Sequence, residues 1–395
     1  MKPQIYPGIC LCAGVALVRV MSNVPLYLPT RGDANSDADA PLAVGEGRRG
    51  GGGRTAKLAD GCRHVFLDVG SNIGVHARML LEPHLYPANY TKSQRASAQR
   101  RRRRWRDDRD DDGGDGDDGG RGSGSGRGAA RDFFVSQFGP EDDRDPSDFC
   151  VFAFEPNPAH VDRHREMEGA YAAVGWRYHF VHAGASDEDG ELTFYHVGRG
   201  DRTLERGFST NGGKCKPRRD GNGRKRIVDC TEEAVKVVRL SSWIDREVHG
   251  RIIPEDTRKG RTRRTSLKEN NDNNNNKTTT TILPPRVVMK MDIETSEFLV
   301  LPDLLTSGVL CRDVDALMGE FHTASHSGDY PISFPRRGGG GEEDGGGAWT
   351  LDTPADADRL KDEMIGLVRR NPNCKTEIVI GDDETYERDG MPWPV

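Results

Sequence analysis

An α/β fold on a mostly parallel, doubly wound sheet is what this sequence predicts. Three observations lead to it. Short apolar runs rich in β-formers end at glycine or at an acid, helical stretches alternate with them, and the biased segments fall between such elements. Of 395 residues only 34% are apolar, 48 are glycine and 30% are charged, so much of the length lies outside a packed core. Removing the biased stretches leaves roughly 250 residues, a size that suits one α/β domain.

The chain opens with Lys2 and an apolar run from Ile5 to Val18, closed by Arg19. That run is short for a bilayer span, and residues 1–30 read as a signal peptide or membrane anchor, with a buried helix as the plainer alternative. Residues 31–60 are rich in Gly, Asp and Arg and read as a disordered linker. The domain is expected over 61–395, with disordered, low-complexity insertions at about 88–131, 198–230, 251–284 and 335–348. Such additions disturb a core least when they lie between elements.

The first strand is His64-Val-Phe-Leu-Asp-Val, ending at Gly70, and Val75 to Leu81 follows as a helix stopped by Pro83. Phe149 to Glu155 is the second strand, and Pro158 opens a helix that runs to Ala173. Tyr178 to Ala183 is the third. Glu191 to Val197 alternates as a half-exposed strand, so Asp189-Gly190 reads as a hairpin turn. Val235 to Leu240 is a strand, with Ser241 as cap of a short helix holding Trp243 and Ile244. Val287 to Asp292, the helix Ser296 to Leu305, and strands Val314 to Phe321 and Glu377 to Ile380 complete the series.

Charge narrows the partners. The formal net charge is −6, and the basic run Arg100 to Arg104 is followed at once by Asp107, Asp108 and Asp110 to Asp112. A mixed block in a Gly-rich setting reads as a solvated loop, so no nucleic acid is expected. Contact with a membrane is expected only through the N-terminal segment. None of the eight cysteines forms a CxxC pair, which argues against a zinc ribbon or a thioredoxin-like site. Their number fits disulfides and scattered thiols equally. The sequons Asn89-Tyr-Thr and Asn276-Lys-Thr lie in polar loops, where secretory glycosylation would need them.

The chemistry-bearing signals sit at strand ends. Asp68-Val-Gly-Ser-Asn-Ile-Gly74 lies between a strand and a helix, where glycine lets the backbone approach a ligand closely. Its two glycines are not the GxGxxG triplet of a dinucleotide loop. Glu155 at the second strand tip can accept two ribose hydroxyl hydrogens; its plainer reading is an exposed loop acid. Asp187, after the third strand, can take an adenine amino hydrogen, and otherwise belongs to an ordinary turn.

Together these residues resemble the FkbM-type methyltransferase family. The resemblance rests on Asp68 to Gly74, Phe154-Glu-Pro-Asn-Pro158, Gly184 to Gly190 with its Glu-Leu-Thr-Phe strand, Leu240-Ser-Ser-Trp-Ile244, Lys290 to Glu297 and Val300-Leu-Pro, in order across residues 64–322. It implies a class I, Rossmann-like fold that binds S-adenosylmethionine and O-methylates sugars or other small or glycan acceptors. By that resemblance Asp68, Gly70, Asn72, Gly74, Glu155 and Asp187 would line the cofactor. The family commonly has glycine where Thr295 stands here and alanine where Ser71 stands, and it lacks the long insertions.

On the acceptor side, His322, Asp292 and Glu294 are the expected catalytic groups. Methyl transfer to a hydroxyl needs alignment and a base for the departing proton. His322 has a suitable ordinary pKa, Asp292 could orient it or hold the acceptor, and the plainer reading of His322 is structural. Asp292, Glu294 and His322 could also gather a divalent metal, but no fixed ligand spacing argues for one. Two rivals stand beside this reading: a degenerate domain that holds the cofactor as a scaffold, supported by Thr295, and a nucleotide-sugar or NAD-linked enzyme, weakened by the missing glycine triplet.

Overall fold

The computed structural model describes residues 54–86, 129–197, 208, 210, 218–219, 225–226, 230–254, 283–323, 332–334 and 349–381. The N-terminal segment, most of the linker and most of each expected insertion lie outside these residues. The fold belongs to the unit that begins at Lys57.

Six parallel strands make the central sheet: β1 (His64–Val69), β2 (Phe149–Phe154), β3 (Arg177–Val181), then, later in the chain, Val287–Met291, Ala316–Gly319 and Glu377–Ile380. Counting along the chain, their spatial order is 3-2-1-4-5-6, so neighbouring crossovers leave β1 in opposite directions and open a crevice beyond its carboxyl end. Both faces are covered. Along β1, Val65, Leu67 and Val69 enter one core and Phe66 the other, which is why the strand reads as a continuous apolar run.

The helices α1 (Val75–Leu81), α2 (Ala129–Phe138) and α3 (Val161–Ala173) pack on the Phe66 side. On the opposite side lie α4 (Leu240–Glu247), α5 (Glu297–Thr306), α6 (Val309–Asp313) and α7 (Pro354–Arg370). Between β3 and α4 the chain builds a small sheet from β4 (Gly184–Ser186), β5 (Gly190–Val197) and β6 (Cys230–Arg239). A two-residue antiparallel pair joins Arg218–Arg219 to Lys225–Arg226, and the strands after α4 are β7 (Val287–Met291), β8 (Ala316–Gly319), β9 (Ile332–Phe334), β10 (Trp349–Leu351) and β11 (Glu377–Ile380).

Several local expectations are corrected. Asp189-Gly190 does not close a hairpin: β6 lies between β4 and β5, and the Asp189 carboxylate accepts the Arg239 amide at 2.9 Å. Ser241 is not a cap; Arg239 holds that place, and the Ser241 hydroxyl donates to Asp303. The linker ends sooner, because Ala59 is fully buried and Asp60 accepts the Ile252 amide at 2.7 Å. The strand expected over 314–321 is confined to Ala316–Gly319, with α6 before it.

Two helices went unread. α2 begins inside the insertion expected to end at 131, and its Ala130, Phe133, Phe134 and Phe138 follow one helical face. α7 opens with Thr353-Pro-Ala-Asp356, where side chain and backbone of Thr353 and Asp356 cap each other reciprocally. Cysteine counting left pairing open; Cys62 is joined to Cys150, and Cys311 to Cys374. Among the described residues, no helix is long and apolar enough to cross a membrane.

Candidate functional site

The loop after β1 is fixed from every side. The Gly70 and Ser71 amides donate to the Phe154 carbonyl at 3.1 and 3.0 Å, and the Gly74 amide to the Ser71 carbonyl at 2.8 Å. Its carbonyls are taken by three separate elements: Gly70 by Lys290 Nζ at 2.8 Å, Asn72 by His164 Nε2 at 2.6 Å and Ile73 by Arg163 Nε at 2.7 Å. Glycine is needed at 70, where φ is 77° and an added Cβ would stand 1.8 Å from the Asp292 carbonyl oxygen. β1 and β7 can approach so closely only without a side chain there.

Glu155, at the tip of β2, ties this loop to its own. Its Oε2 accepts the Asn72 amide at 2.7 Å and its Oε1 the Asn157 amide at 2.9 Å. Each carboxylate oxygen has a second lone pair. Beside it opens a cleft of about 650 Å³, part of it open to solvent, lined by Gly70, Asn72, Glu155, Asn157, His160, Gly184, Ala185, Phe194, Phe208, Asp292, Glu294 and Ser296 among others.

The expected cofactor residues separate here. Gly70, Asn72 and Glu155 line the cleft; Asp68, Gly74 and Asp187 do not. Asp68 is buried beneath the loop, where Oδ2 accepts the Ser71 hydroxyl at 2.9 Å. Gly74 serves packing, since a Cβ there would meet Met167 Cε at 2.7 Å. Asp187 is exposed and accepts the Ser186 hydroxyl at 3.1 Å.

Of the expected catalytic groups, Asp292 and Glu294 line the cleft and His322 does not. Glu297 Oε1 holds His322 from behind, accepting its amide at 2.7 Å and facing Nδ1 at 3.1 Å. Burial lowers the His322 pKa, but Glu297, Glu294 and Asp292 outweigh it and raise it to about 10. That environment favours the protonated ring, the form that donates to Glu297. Asp292 is also buried, which favours its neutral form, yet Lys290 Nζ at 3.1 Å and His322 hold it below its ordinary value.

The nearest ligand atoms of Asp292, Glu320 and His322 lie within 4.8 Å of one another, close enough to surround a metal. Lys290 Nζ pairs with Asp292 at 3.1 Å, and His322 Nε2 faces Asp292 and Glu320 at 3.7 Å. His160 and His164 were not picked out from the sequence, although both lie on the helical turn after the Glu155 motif. Burial lowers the His164 pKa to about 4, so the neutral ring donates to Asn72 and accepts from the Tyr178 hydroxyl at 2.5 Å. Thr295, which departs from glycine, has φ 82°.

Comparison with protein-family models, with curated proteins and with solved structures finds no match for this chain.

Proposed function

We propose that the cleft binds S-adenosylmethionine and that the protein transfers its methyl group to a hydroxyl of a sugar, glycan or other small acceptor. The observation that carries this reading is Glu155: a strand-tip carboxylate facing the crevice beside β1, with a lone pair free on each oxygen for hydroxyl hydrogens. The FkbM-type motif order supports the same reading.

When bound, the cofactor supplies an electrophilic methyl group on sulfur. The protein then has to hold the acceptor hydroxyl in line and take its proton. Asp292 is the ionised group in the cleft suited to this, and the His322 cation and Lys290 offset its charge. Glu294 also lines the cleft and is assigned to the acceptor side.

A dinucleotide is the second reading, favoured by the strand order 3-2-1-4-5-6. Against it, the amides of Gly70, Ser71, Asn72 and Gly74 already have protein acceptors, so they are not free to cradle a pyrophosphate. Calorimetry of the purified full chain tests the two directly. S-adenosylhomocysteine should bind and NAD should give no comparable heat; tighter binding of NAD would sink the proposal. Labelled methyl donor with a panel of sugar and glycan acceptors, read by mass spectrometry, tests transfer. Cofactor binding with no transfer to any acceptor would favour the scaffold reading.

A further inference from the structure

We infer that His160 is a ligand-contacting residue of the cleft, hydrogen-bonding a ribose hydroxyl that Glu155 also binds; this rests on the cofactor reading above. His160 ends the tight turn Pro158–His160 and is only 2% exposed, yet it lines the cleft. Its position is set locally. Asn157 caps the turn by accepting the Ala159 amide at 2.9 Å, and the His160 amide donates to the Asn157 carbonyl at 3.1 Å.

Neither ring nitrogen of His160 has a hydrogen-bond partner. A buried polar group in that state costs free energy, and folded proteins rarely keep one without water or a ligand to complete it. The nearer nitrogen, Nδ1, is 3.7 Å from Glu155 Oε1. That is too far for a direct hydrogen bond, and one oxygen standing to the side of that line, about 2.8 Å from each atom, can bond both. A hydroxyl meets both needs, since it can donate to the carboxylate and either accept from or donate to the imidazole. A carbonyl or phosphate oxygen would face the Glu155 carboxylate acceptor to acceptor.

The same cleft offers a second surface. Phe194 and Phe208 line it with their rings 4.8 Å apart and nearly parallel. A hydroxyl-binding pair beside an aromatic wall matches the two chemistries of a nucleoside, a diol and a flat base.

The test uses the full chain and three ligands: S-adenosylhomocysteine and its 2′-deoxy and 3′-deoxy forms. His160→Phe should weaken binding of the parent ligand about tenfold, the worth of one hydrogen bond of this kind. One deoxy ligand, the form lacking the shared hydroxyl, should bind wild type and His160→Phe equally. His160→Asn, which can present a nitrogen near the Nδ1 position, should recover part of the loss. Thermal stability without ligand separates this role from a structural one. Replacing an unpartnered buried ring by an apolar one of similar shape should leave the unfolding temperature unchanged or raise it. If His160→Phe keeps full affinity and full discrimination between the ligands, or loses affinity for all three alike while unfolding at lower temperature, this assignment is wrong and the cofactor reading survives. If wild type binds no adenosyl compound, both fall together.

Discussion

Glu155 accepts the Asn72 amide at 2.7 Å, so the acid that ends the second strand closes the loop that ends the first. The two signals stand 83 residues apart in the chain and form one unit in space. Asn72 has φ 51°, a left-handed conformation that asparagine tolerates better than most residues.

From this follows the first prediction. Glu155→Ala should leave the Asn72 and Asn157 amides unpaired and weaken binding of S-adenosylhomocysteine, with a loss of roughly 1 to 3 kcal/mol for the exposed partners. Glu155→Gln keeps one good acceptor and should lose less. Calorimetry orders the two variants, and equal binding by Glu155→Ala and wild type would remove Glu155 from the site.

Thr295 leads to the second. A β-branched residue at φ 82° is strained, and its buried hydroxyl has no partner. Glycine accepts this conformation, at the expense of a freer unfolded chain. Thr295→Gly should therefore raise unfolding free energy by about 1 kcal/mol, the strain relieved exceeding the entropy lost. Urea denaturation checks it. A clear loss of stability would mean that the Thr295 methyl packs better than the strain costs.

The third concerns pH, through two histidines of opposite sign. His164, with its pKa lowered from 6.5 to about 4, binds fewer protons folded than unfolded between those values. Its contribution is full above pH 6.5 and is lost as pH falls toward 4. His322, raised from 6.5 to about 10, does the reverse: full below pH 6.5, lost as pH rises through 10. Denaturation across this range should show a maximum near the ordinary histidine value, with losses of order a few kcal/mol on each arm. His164→Gln should flatten the acid arm and His322→Gln the alkaline one.

Disulfide reduction is the fourth. Cys62 and Cys150 sit just before β1 and at its neighbour β2, both fully buried, and their bond closes 88 residues of chain. Restricting so long a loop in the unfolded state stabilises the fold by about 2 to 5 kcal/mol. Denaturant midpoints with and without a strong reductant should differ accordingly. Equal midpoints, with thiol labelling confirming reduction, would show the bond to be dispensable.

Much of the sheet was legible because strands buried on both faces have to be continuous apolar runs: β1, β2 and β7, buried along their whole length, stand where such runs stand in the sequence. Helix α2 was hidden because its first residues continue a low-complexity stretch. α7 was missed despite a capping signature in Thr353 and Asp356. Asp189-Gly190 has hairpin composition, but a turn's residues do not say which strand will lie alongside, and β6, some forty residues on, took that place.

At the site the division is sharper. By itself the sequence determined that a glycine loop and an acid would stand at successive strand ends, because glycine spacing and strand termini are local properties. Only the tertiary structure decided which of those groups face the cleft. Asp68 and Gly74 turn to packing beneath the loop, Asp187 to solvent, and His160 enters without having been singled out. It also decided charge. The Glu297 carboxylate, brought against His322 across 25 residues, raises its pKa and favours the charged ring. Electrostatic neighbours are set by packing between elements, and no spacing along the chain encodes them.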